Sequence, residues 1–247
     1  MKRVLSSIGI GAATVDTVFP RTELVPGETV TADVELYGGD ATQEIEGIYF
    51  DLKTRLSEGD DEERLITEFT VDEELTLDPD TERTVPVDIE IPPWTPLTQG
   101  GASVWLETGL DIDWAKDPTD EDRVDVVPGE FTASLFDAAE NLGFALRYSE
   151  LVETPYLDDR PFAQEFDFRP TDERFKRTLD ELEITIVPRA DDLRVFVEFD
   201  EKDEVADEYD MDFDENEASL TFDRADTDMI RRRLKNEIER HRTSNHR

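Results

Sequence analysis

Val30, Ala32, Val34 and Leu36 alternate with Thr31, Asp33, Glu35 and Tyr37, the period of two expected of a strand with one buried face and one wet face. Ile48, Phe50 and Leu52 alternate in the same way with Tyr49, Asp51 and Lys53. Between them Gly38 and Gly39 supply positive φ at low steric cost and Asp40 tolerates left-handed geometry, so the chain is expected to reverse there as an opening hairpin. No helix pattern follows to offer its N-terminus to an anion, which makes the paired glycine a strand corner and not a phosphate cradle.

Further strands follow at short spacing. Leu65–Val71 is a compact apolar run, and Val85, Val87, Ile89 and Ile91 alternate until Pro92 and Pro93 stop the strand. Val104, Leu106, Thr108, Leu110, Ile112 and Trp114 alternate again, with Gly109 predicting a bulge. The segment from Pro118 to Pro128 predicts a loop and a brief strand at Val124–Val127. Short strands with Gly and Pro at their corners argue a β-sandwich.

The period then changes. Leu135, Ala138, Ala139 and Leu142 share one helical face, with Gly143 at the C-cap position. Strands are predicted again at 144–148, 162–168, 182–187 and 193–199, and weaker ones at 211–214 and 219–222. From Thr227, Ile230, Leu234 and Ile238 mark an amphipathic C-terminal helix, acidic at its start and basic at its end as the helix dipole favours. The expected organisation is a β-sandwich domain over 1–129, a second sheet-rich domain over 130–225, and a basic helix over 226–247.

Charge changes how the acids are read. The 247 residues hold 26 Lys+Arg against 64 Asp+Glu, a net −38. Only 6 of the basic residues are Lys. Such an excess repels itself in dilute buffer but keeps water and cations around a protein when molar salt screens charges beyond about 3 Å. The expectation is a salt-adapted, halophilic chain whose carboxylates are mostly solvated surface. Residues 231–247 run the other way, with 7 Lys+Arg and 2 Asp+Glu. Phosphate contacts weaken steeply with salt, so this tail predicts a helix packed on its own domain or on a protein partner, with no nucleic acid and no membrane insertion.

Little of the usual chemistry remains. Cys is absent, which removes disulfides, thiolate nucleophiles and Cys-based zinc sites. Both histidines, His241 and His246, lie in the terminal tail, away from any predicted pocket. No stretch matches a Walker A loop or a nucleophile elbow. Ser6, Ser7, Gly9 and Gly11 interrupt the apolar stretch behind Lys2 and Arg3, so the start reads as a poor signal peptide and the chain is expected in the cytoplasm.

Asp210, Asp212 and Asp214 resemble the opening of a calcium loop, but Glu215 stands where Gly is needed and Thr221 where the bidentate Glu belongs. Asp111, Asp113 and Asp117 could form a cation site without a specific spacing. No catalytic, cofactor or metal residue is therefore assigned. Carboxylate pairs for a carbohydrate hydrolase stay open as an alternative, and an exported cation-binding adhesion module is a third reading.

Several stretches carry a family likeness together: SIGIGAATVDTVF at 7–19, VPGETVTADVELYGGDATQEIEGIYFDL at 25–52, LDIDWAKDPTDEDRVDVVP at 110–128, DAAENLGFALR at 137–147, QEFDFRP at 164–170 and LDELEITIVP at 179–188. In this order they resemble the sporulation-control protein M (SpoOM) family. The resemblance implies an arrestin-like architecture of two tandem β-sandwich domains. It also implies a non-catalytic cytoplasmic regulator or scaffold that works through protein partners in stress, developmental or division control. It supplies no catalytic motif.

Overall fold

The structure is a computed structural model that describes residues 13–55, 63–72, 74–112, 118–154, 160, 162–189, 191–201 and 217–244. The chain is mainly β, and one helix opens its second half while another closes it. It divides into two compact units, Met1–Thr95 with Ser103–Val127, and Pro96–Ala102 with Pro128–Arg247.

In the first unit, β1 (Thr14–Val18), β3 (Thr29–Tyr37) and β7 (Glu82–Glu90) form an antiparallel sheet in the order β1-β3-β7. A six-stranded sheet runs β2 (Glu23–Leu24), β9 (Thr119–Val126), β8 (Ser103–Ile112), β4 (Gln43–Arg55) and β5 (Glu63–Val71), with β6 (Leu75–Leu77) also on β4. The alternation read from the sequence places Val30, Ala32, Val34 and Leu36 inside from one sheet and Ile48, Phe50 and Leu52 inside from the other. Apolar faces of this kind bury themselves against each other, which yields the sandwich.

Four local expectations change. The strands flanking Gly38 and Gly39 are not hairpin partners: β3 pairs with β1 and β7, β4 with β5, β6 and β8, so the corner carries the chain from one sheet to the other. Neither glycine has positive φ. Gly38 is needed for a close approach, since a Cβ there would stand 2.0 Å from the Asp78 carbonyl oxygen, while its N–H donates to the Thr81 carbonyl at 2.8 Å.

Gly109 is likewise no bulge. It keeps register opposite Tyr49 and Thr119, and the irregularities of β4 fall at Ile45/Gly47 against β8 and at Leu52/Lys53 against β5. The brief strand predicted at 124–127 begins at Thr119, which draws Asp120 and Asp122 into the ladder and onto the side of the buried Val124 and Val126.

In the second unit, β10 (Phe144–Glu153), β11 (Phe162–Pro170), β12 (Leu179–Pro188), β13 (Leu193–Glu201) and β14 (Glu217–Phe222) form one antiparallel sheet in chain order. Among the described residues the layer against it is helical. Helix α1 (Glu130–Leu142) buries Leu135, Ala138, Ala139 and Leu142 and ends at Gly143, whose φ of 93 makes the left-handed cap. Its Phe136 packs edge-on to Phe166 and Phe168 of β11, with ring centroids 4.9 and 5.7 Å apart.

Helix α2 (Thr227–Ser244) starts with Asp226 accepting the Met229 N–H at 2.9 Å, an N-cap. Ile230, Leu234 and Ile238 are fully buried, α2 packs on α1, and His241 stacks on Phe199 of β13 at 4.8 Å. The basic helix therefore docks on its own unit. The predicted strand at 211–214 lies outside the described residues.

Candidate functional site

Two groups of carboxylates are drawn together by strand pairing, one in each unit. In the first, β9 alternates Asp120, Asp122, Val124 and Val126 toward the interior, and the ladder sets Asp120 opposite Thr108 and Asp122 opposite Leu106. Asp16 of β1, in the other sheet, completes the group: one oxygen from each of Asp16, Asp120 and Asp122 lies within 4.8 Å of the others. Beside them the hydroxyls of Thr17 and Thr108 meet at 2.8 Å across the sandwich.

Asp120 is 8% exposed, and Oδ2 of both Asp120 and Asp122 is buried without a hydrogen-bond partner. Burial pushes the Asp122 carboxyl up to about 8, the adjoining Asp120 and then Asp16 push the same way, and the Thr17 N–H it accepts opposes them. In chemical terms this is an oxygen-only set of three carboxylates, of which the two on β9 lie on that strand's inward side.

The second group lies on the sheet face opposite the helices. Even-numbered Phe166 and Phe168 of β11 pack on α1, so the odd-numbered Glu165, Asp167 and Arg169 take the other face. Pairing brings Asp167 beside Tyr148 on β10 and Glu183 on β12, and Glu183 beside Glu198 on β13. One oxygen from each of Asp167, Glu181 and Glu183 falls within 4.8 Å of the others.

Burial raises Asp167 to about 6 and Glu183 to about 7, with neighbouring carboxylates adding to both. Glu165 is raised by burial as well, though it accepts the Thr185 hydroxyl at 2.8 Å. Donors lie close by here too, although Asp167 Oδ2 stays buried without a hydrogen-bond partner. Tyr148 donates to Asp167, and Arg169 pairs with Glu181 at 3.1 Å.

The residues singled out in the sequence fall elsewhere. Asp111 is an exposed residue of β8, and Asp113, Asp117, Asp210, Asp212 and Asp214 lie outside the described residues. His241 is buried by its stacking on Phe199, and His246 lies outside the described residues. Sequence reasoning missed Asp16, Asp120, Asp122, Asp167 and Glu183. The available signals were the continuation of the Val124/Val126 alternation back to Asp120, and the strict Glu165, Phe166, Asp167, Phe168 alternation.

No described helix is long and apolar enough to cross a membrane. The family described as SpoOM protein matches residues 1–203. The sporulation-control protein spo0M of Bacillus subtilis (strain 168) is 36% identical over 207 residues, covering 81% of this chain and 80% of that protein. The crystal structure of Spo0M from Bacillus subtilis superposes with a TM-score of 0.79 at 30% identity, covering 94% of this chain and all of the other. A match of that length in both sequence and fold carries the conclusion that the chain belongs to the SpoOM protein family.

Proposed function

We propose that this chain is a cytoplasmic, non-catalytic regulator that acts by binding other proteins. The observation that carries the reading is its similarity across most of its length to a protein named for control of sporulation. The geometry supplies a way to bind. Among the described residues the exposed large apolar side chains are Val18, Leu65 and Tyr148, and each sits on a strand that ends its sheet: β1, β5 and β10. An end strand offers unpaired N–H and C=O groups, to which an extended partner segment adds as a further strand while side chains give specificity.

The carboxylate groups favour binding over carbohydrate hydrolysis. A glycosidase needs both carboxyls at the sugar, whereas Asp120 is 8% and Asp167 1% exposed.

Affinity capture of the full chain from a high-salt lysate tests the reading. The expected result is a reproducible protein partner that is lost with Leu65→Lys, a substitution that leaves β5 in place but charges its edge. Recovery of no reproducible partner across several growth states counts against it.

A further inference from the structure

We propose that Asp16, Asp120 and Asp122 bind one hard divalent cation of the Ca²⁺ class inside the first unit. The inference starts from cost. A carboxylate removed from water without a partner is among the most unfavourable groups a fold can bury, and native structures supply a counter-charge or a metal. Here β9 places two aspartates at consecutive inward positions, where the pattern of Val124 and Val126 calls for apolar residues. Asp120 and Asp122 bond to each other and Asp122 accepts the Thr17 N–H, but each leaves a buried Oδ2 with no hydrogen bond.

The second carboxylate group is satisfied in part. There Tyr148, Arg169 and Thr185 supply donors to Asp167, Glu181 and Glu165. In both groups an Oδ2 stays buried without a hydrogen-bond partner, that of Asp167 in the second unit and those of Asp120 and Asp122 on β9.

Size and charge select the ion. Ca²⁺ holds oxygens at 2.3–2.6 Å, so two that share it stand at most about 5 Å apart. Three carboxylate oxygens within 4.8 Å of one another meet that limit. Mg²⁺ holds its ligands at 2.0–2.1 Å in a stricter octahedron and limits them to about 4.2 Å, so the group would have to contract. Asp16 belongs to the three-stranded sheet and the two β9 residues to the six-stranded one. A bound ion therefore pins the two layers together beside the Thr17–Thr108 hydroxyl contact.

The test uses the full chain, stripped with a chelator and titrated with CaCl₂ by calorimetry in KCl buffer, with melting followed in parallel. One saturable ion and a raised melting temperature are expected. Asp120→Asn and Asp122→Asn should each weaken uptake at least about tenfold, the scale on which perturbing a metal's surroundings acts. Asp111→Asn, on the exposed face of β8, should leave it unchanged and so separate the site from the general pull of an acidic surface. If Asp120→Asn fails to fold, Asp16→Asn on the half-buried edge strand gives the same reading. Absence of saturable Ca²⁺ uptake by the folded wild type overturns the proposal, as does equal uptake by the Asp122→Asn protein.

Discussion

The ring of Tyr49 on β4 occupies the space over Gly109 on β8: a Cβ at Gly109 would stand 2.0 Å from Tyr49 Cζ. The residues are direct cross-strand partners, so the glycine serves as a floor for the aromatic ring. Gly109→Ala should cost about 1–2 kcal/mol, the range of a forced side-chain displacement. In a Tyr49→Ala background the cost should vanish, because the clash is with that ring and alanine otherwise suits a strand better than glycine. Urea unfolding of the four proteins in the cycle measures the coupling, and additive effects would refute it.

Gly38 faces a harder obstacle. Its absent Cβ would meet backbone, the Asp78 carbonyl, which belongs to a turn fixed by Pro79, by Asp80 at φ 57 and by the Thr81 hydroxyl donating to that same carbonyl at 2.6 Å. Gly38→Ala should therefore destabilise by about 3 kcal/mol, at the upper end of overpacking costs. The order is the discriminating point: Gly38→Ala should lower the urea midpoint more than Gly109→Ala, since a ring can swing aside and this turn cannot.

These two glycines also show what the sequence conceals. Alternation identified the inward residues of β3, β4, β7 and β8, because facing is a local property with period two. It could not name neighbours, so β3 and β4 read as a hairpin although they lie in different sheets. The need for glycine at 38 and 109 comes from Asp78 and Tyr49, 40 and 60 residues away, and no local propensity carries that. Asp120 and Asp122 read as loop in the sequence because inward acids contradict the strand pattern, and such contradictions concentrate at functional or strained positions. The carboxylate face of the second unit is assembled from β10, β11, β12 and β13, so its members stand far apart along the chain.

Helix α2, by contrast, was legible from Ile230, Leu234 and Ile238 alone, and its docking makes a simple forecast. Leu234 is fully buried against its own unit. Leu234→Ala should cost about 2–5 kcal/mol, the span measured when a buried leucine is cut to alanine. Arg232→Ala, exposed on the same helix, should change stability by no more than about 0.5 kcal/mol. Guanidinium denaturation followed by circular dichroism reads both. A Leu234→Ala protein as stable as wild type would mean that the helix does not depend on this face.

The carboxylates of the second unit set a dependence on pH whose sign follows from the direction of their shifts. Asp167 at about 6 and Glu183 at about 7 are raised well above ordinary carboxyls, because burial and the neighbouring Glu150, Glu165, Glu181 and Glu198 disfavour the charged forms. Tyr148 donates to Asp167, and Arg169 lies on Glu181, but neither reverses the direction. Folded chains therefore hold more protons than unfolded ones between about pH 4 and 7, so stability falls as pH rises. The contribution is fully present below about pH 4 and is lost as pH climbs through 6 and then 7. Repulsion among the excess carboxylates of the whole chain has the same sign, so the wild-type slope cannot isolate the effect. Comparison with Asp167→Asn and Glu183→Gln does: both should flatten the fall in urea midpoint between pH 5 and 8 and gain on wild type at the alkaline end. Molar KCl should shrink only part of the difference, since it screens the neighbouring charges and leaves the cost of burial. Parallel curves for wild type and both variants would show that these two carboxyls titrate alike in the folded and unfolded chain.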